Sequence, residues 1–124
     1  YEHPVHTHEE RTAAWMATLA EFQDGVIDYS GLENYRSTAW QRQLHLYEVP
    51  FYYIEYGIAQ LGAIGMWMQY KNNKQLAIDN YCNALALGGT KTLPQLFDTA
   101  GLKFDFSPDK IKVLMEFVKS EMDR

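Results

Sequence analysis

The sequence predicts an all-α fold, and three observations carry that reading. Apolar residues recur at helical spacing through most of the chain. Helix start and stop signals fall between those stretches. No run alternates polar and apolar residues in the manner of a strand, and there is no repeat or low-complexity segment. A length of 124 residues suits one domain, 1–124.

Thr7 is followed three residues later by Glu10, the spacing of a capping box, which predicts a helix from about His8 to Phe22. Ala13, Met16, Leu19 and Ala20 would form its apolar face. "QDGVIDYSG" then reads as a turn-rich connection. A second helix is expected from about Leu32 to Leu46, rich in Gln and Arg and only partly apolar. Pro50 restarts the chain at the first turn of a third helix, where proline is tolerated because that N–H has no helical partner anyway.

That third helix, expected from about Pro50 to Tyr70, is unusual. Its strongly polar residues between Tyr52 and Tyr70 are Glu55, Gln60 and Gln69, so it is apolar nearly all round. Such a helix is buried on every side or lies in a membrane. Glu55 and Gln60 near its middle argue against the membrane. Gly57, Gly62 and Gly65 each cost about 1 kcal/mol against Ala, a cost that close approach of neighbouring backbones would offset.

A fourth helix is expected from about Lys74 to Leu87, ended by Gly88 and Gly89. Leu93 to Thr99 forms a short helix before Gly101. The last helix starts with Ser107 as N-cap, Pro108 at the first position and Asp109 near the positive helix end. Val113, Leu114, Phe117 and Val118 are its apolar stripe. A bundle of this size has few helices to wrap the third one completely, so the chain is expected to sit inside something larger.

The charge balance is 11 basic against 16 acidic residues, net −5, which gives no reason to expect nucleic acid or an anionic membrane as a partner. The single cysteine, Cys82, cannot form an internal disulfide. It favours a reducing, cytoplasmic setting and is expected to be a small buried apolar residue. The opening "YEHPVHTHEERTAAW" lacks Met, a charged n-region and an apolar h-region, so it is no signal peptide. It is expected to begin a fragment or a processed product.

Three stretches invite chemistry. His3, His6 and His8 in "HPVHTH" are metal-ligand types at short spacing, but a solvated terminus ahead of a helix is the better account. "HEERT" begins like the zinc-peptidase motif H-E-x-x-H, yet Thr12 stands where the second His is needed, so no zinc site is expected there. The third is "HLYEVPFYYIEYG". On a helix starting at Pro50, Tyr53 and Tyr56 would share a face, with His45 able to hang over it. Two phenols and an imidazole converging on one point form a donor set for an oxyanion. On composition alone, packing of a buried aromatic helix is the simpler account.

"QRQLHLYEVPFYYIEYGIAQLGA" resembles the C-terminal part of the oligoendopeptidase F family of zinc metallopeptidases, within the thimet oligopeptidase-like superfamily. The resemblance extends through "NALALGGTKTLPQLFDTAGLKFDFS" and back to "WMATLAEF" and "HPVHTHEER", and so covers nearly the whole chain. It implies an all-helical bundle forming the C-terminal part of a larger metallopeptidase catalytic domain, acting on short peptides. It implies zinc held by an H-E-x-x-H helix and a later Glu, all upstream of the part matched here, so that no metal ligand lies in this chain. The upstream part of the same enzyme would be its partner.

In related enzymes a Y-x-x-Y pair on one helix faces the zinc. One Tyr stabilises the tetrahedral oxyanion, the other contacts substrate, and a preceding His assists. Carried over residue by residue, the catalytic candidates are Tyr53, Tyr56 and His45, and the substrate-contacting ones are Tyr52, Tyr53 and His45. Tyr52 is the alternate for Tyr53 if the pairing shifts by one. Where thimet-type enzymes carry a glycine-rich loop before the pair, this chain has "LYEVPF". The competing reading is a non-catalytic helical interaction module derived from the same fold.

Overall fold

The computed structural model describes residues 4–23 and 25–123. Among these there is no strand, and the helices account for most of the chain, so the fold is all-α as the sequence predicts. The elements are α1 (His8–Gln23), α2 (Glu33–Thr38), a 3-10 turn η1 (Ala39–Arg42), α3 (His45–Glu48), α4 (Ile54–Asn72), α5 (Lys74–Ala86), α6 (Leu93–Thr99) and α7 (Pro108–Met122). They fall into two compact units, residues 1–53 and 54–124.

In the first unit, the Thr7–Glu10 capping box forms as expected. The Thr7 amide donates to Glu10 Oε2 at 2.7 Å, and the Glu10 amide donates to Thr7 Oγ1 at 3.2 Å. Two indoles tie α1 to α2 and η1. The Trp15 N–H donates to the Arg36 carbonyl at 3.0 Å and the Trp40 N–H to Thr12 Oγ1 at 3.3 Å. Trp40 is the buried anchor of this unit.

The helix expected from Leu32 to Leu46 is broken into α2, η1 and α3. The hydroxyls of Ser37 and Thr38 both donate to the Asn34 carbonyl, at 3.0 and 2.7 Å. Such back-bonding competes with the helical ladder and bends it. The chain tightens into η1 as Trp40 is drawn under α1, and it leaves the helix at Gln43 (φ −86°, ψ 81°).

In the second unit, α4 packs against α5 and α7, and α5 packs against α6. Asn73 caps α5 by accepting from the Leu76 amide, and Ser107 caps α7 by accepting from the Lys110 amide. The Ser107 amide and hydroxyl hold the Asp105 carboxyl below its usual range, which fixes the approach to α7. Trp67 meets Phe117 edge to face at 4.9 Å between α4 and α7, beside a Lys71–Glu121 ion pair. Phe97, Phe104 and Phe106 form a T-shaped cluster around α6.

Gln69, one of the few polar residues of α4, has a structural task. Its amide N–H donates to the Gly101 carbonyl at 3.2 Å, and its carbonyl accepts from Asn80 at 3.2 Å. This closes α4, α5 and the turn after α6 around Gly101, whose φ of 70° is left-handed. A Cβ at Gly101 would lie 2.6 Å from Asn80 Nδ2 and 2.7 Å from Gln69 Nε2. Gly101→Ala is therefore expected to cost about 1–2 kcal/mol from the backbone alone, and more from the displaced carboxamides. A urea midpoint equal to that of the parent chain would contradict this.

Three expectations need correction. The third helix starts at Ile54, not Pro50, because Phe51 has φ 68° and a left-handed residue cannot continue a right-handed helix. Gly62 and Gly65 are approached by side chains rather than backbone: a Cβ would meet Phe97 Cζ at 3.0 Å and Leu102 Cδ2 at 3.2 Å, while Gly57 has nothing within 4 Å. Cys82 is exposed, since it lies roughly 140° around α5 from the buried Ala77.

The buried apolar side chains among the described residues are Trp40, Ala77, Ala100 and Leu114. Along α4 only Gly65 is buried, and Ile54, Tyr56, Trp67 and Tyr70 are exposed. The all-round apolar character of α4 thus exceeds what the other helices of its own unit cover. No helix of the described residues is long and apolar enough to cross a membrane.

Candidate active site

The break at Gln43 and the reversal at Phe51 together build the candidate site. After Gln43 the chain restarts as the one-turn helix α3, with His45 as its first residue. Val49 leaves that helix with φ −139° and ψ 75°, Pro50 and Phe51 turn the chain, and the Tyr52 amide donates back to the Val49 carbonyl at 3.1 Å. The turn returns Tyr52 and Tyr53 to His45. The Tyr52 ring stacks on the imidazole at 5.5 Å with 20° between planes, and the Tyr53 ring lies at 4.7 Å. The Tyr53 hydroxyl donates to Gln43 Oε1.

A left-handed phenylalanine costs of order 1–3 kcal/mol, and such strain tends to collect at functional turns. Here it sits between the imidazole and the two phenols that it brings together. Tyr53 stands in the turn ahead of α4, whereas Tyr56 stands in the first turn of α4 and is 55% exposed. The two are therefore not carried by one helix, as a start at Pro50 would have it.

The His-rich stretch is described only in part. His3 lies outside the described residues. His8 opens α1 with its ring 5.5 Å from that of Trp40. Among the described residues no three His, Cys, Asp or Glu side chains gather as metal ligands. Thr12, in the place of the missing second His, accepts the Trp40 indole N–H instead.

The first unit also holds an open groove of about 760 Å³ walled by Trp15, Trp40, Leu46 and Tyr47 with Arg11 at its rim. Arg11 lies over the Trp40 ring, 5.4 Å from its centre. His45, Tyr52 and Tyr53 do not line this groove, so the groove and the phenol–imidazole group are separate features.

A family model for peptidase family M3 matches residues 1–115, nearly the whole chain. The chain belongs to peptidase family M3. No curated protein and no solved structure matches it. Peptidases of the M3 family are zinc-dependent in general.

Two contributors to this site are not legible in the sequence. A continuous helix through Leu46 would point Gln43 away from His45, so its spacing gives no sign of a shared role. The left-handed Phe51 is hidden because nothing in "EVPFYY" requires a positive φ at a bulky residue.

Proposed function

We propose that this M3 chain is the C-terminal part of the catalytic domain of an oligoendopeptidase F-type enzyme that hydrolyses short peptides. On this reading the zinc ligands lie elsewhere in the same protein, and this chain supplies the groups that bind substrate and stabilise the transition state. The observation that carries the reading is the convergence of Tyr52 and Tyr53 on His45 at the turn before α4. The exposed apolar side chains along α4 support burial against another part of that protein.

Attack of water on a peptide carbonyl turns a neutral oxygen into an oxyanion. A fixed phenol O–H favours that change because its hydrogen bond strengthens as charge develops. Tyr53 or Tyr56 takes this role, and His45 assists by contacting the same substrate region. Tyr52, stacked on the imidazole, limits its rotation and adds a substrate contact. Zinc held by ligands elsewhere in the protein would supply the activated water.

The isolated 124-residue chain is expected to be helical yet inactive on peptides, and added zinc should not rescue it. Circular dichroism and cleavage of a quenched fluorescent peptide check both statements. Zinc-dependent cleavage by the purified chain, with contaminating protease excluded, would sink the proposal.

A further inference from the structure

We propose that Gln43 is a positioning residue for Tyr53: its side-chain carbonyl holds the phenol in the resting site and releases it to the oxyanion as charge develops. This rests on the reading above, with Tyr53 rather than Tyr56 as the oxyanion donor.

The geometry comes from the broken helix. On an unbroken helix, residues 43 and 45 would point roughly 160° apart and could not serve one target. The break fixes Gln43 from both sides: its amide donates to the Trp40 carbonyl at 3.1 Å, and its carbonyl accepts from the Leu46 amide at 2.9 Å. From that position its side chain accepts the Tyr53 hydroxyl, while His45 packs on the Tyr53 ring. One side chain thus orients the ring and the other orients the O–H.

A phenol has one proton, so Tyr53 cannot donate it to Gln43 and to an oxyanion at once. The amide oxygen is a neutral acceptor, and a hydrogen bond to a charged oxygen is roughly twice as strong. The hydroxyl therefore stays on Gln43 while the substrate carbonyl is neutral and turns to the oxyanion once it forms. Rotation about the phenol C–O bond suffices, and no covalent bond breaks. A neutral acceptor suits this exchange, whereas a charged one would retain the proton.

The test uses the intact zinc-loaded peptidase. Gln43→Glu keeps the shape and makes the acceptor anionic. It is expected to lower kcat about tenfold at neutral pH with little change in KM, the ratio separating charged from neutral acceptors. The deficit should close as pH falls and the new carboxylate is neutralised. The Tyr53 phenol bonds residue 43, and the His45 imidazole packs on the Tyr53 ring. Both are present in the parent enzyme too, so the variant-to-parent ratio isolates the carboxylate. Gln43→Met removes the acceptor and should lower kcat several-fold with no recovery at low pH.

Both effects should disappear in a Tyr53→Phe background. If Tyr53→Phe lowers kcat while Gln43→Glu follows the parent at every pH, the Gln43 inference falls and the donor role of Tyr53 stands. The same holds if the Gln43 effects persist undiminished without the hydroxyl. If Tyr53→Phe itself leaves kcat unchanged, the donor role of Tyr53 falls, and the inference with it.

Discussion

At least one of Tyr53→Phe and Tyr56→Phe is expected to lower kcat of the intact zinc-loaded peptidase by about 10²–10³, equivalent to about 2.7–4 kcal/mol of transition-state stabilisation. The loss should fall on kcat with KM nearly unchanged, because the hydrogen bond matters little to the neutral ground-state carbonyl. Phe is the right replacement, since it keeps the ring against His45 and removes only the hydroxyl. Tyr47→Phe is the control. Tyr47 packs near Trp40, with ring centres 6.2 Å apart, and its substitution should leave kcat within a few-fold of the parent. Zinc content should be unchanged throughout, since none of these residues is proposed as a ligand. Near-normal kcat in both Tyr53→Phe and Tyr56→Phe would return the stretch to a packing role.

Leu114→Ala is expected to destabilise the chain by about 2–5 kcal/mol. Leu114 is 3% exposed, and the void that it borders together with Leu61, Gly65 and Leu102 is only about 10 Å³. With so little slack, the removed methyl groups leave a cavity that the neighbouring helices cannot fill without moving their backbones. Val113→Ala, one position along α7 at a side chain 48% exposed, should cost far less. Urea unfolding followed by circular dichroism separates the two. Equal midpoints for Leu114→Ala and Val113→Ala would mean that Leu114 is not the core residue of α7.

Most helix ends were legible in the sequence because they are set by neighbours in the chain. Thr7 with Glu10, and Ser107, each satisfy an amide within three residues, and no distant contact is needed to form such a cap. For the same reason α6 spans Leu93–Thr99 as expected and α7 begins at Pro108. The excess apolar surface of α4 was also legible, because it depends on composition alone.

The path between α1 and α4 was not legible. Local propensity supports one helix from Leu32 to Leu46, but the Ser37 and Thr38 back-bonds and the burial of Trp40 under α1 break it. Propensity differences of a few tenths of a kcal/mol per residue are too small to resist the burial of an indole. Likewise, helical spacing placed Tyr53 and Tyr56 on one face, but the left-handed Phe51 moves the helix start past Tyr53. The sequence by itself determined that His45, Tyr52, Tyr53 and Tyr56 lie close along the chain and that the fold is helical. The tertiary structure decided that the imidazole meets Tyr52 and Tyr53 across a turn, and that Gln43 receives the Tyr53 hydroxyl. Those contacts depend on where two helices stop, and long-range burial sets those points where no local cap does.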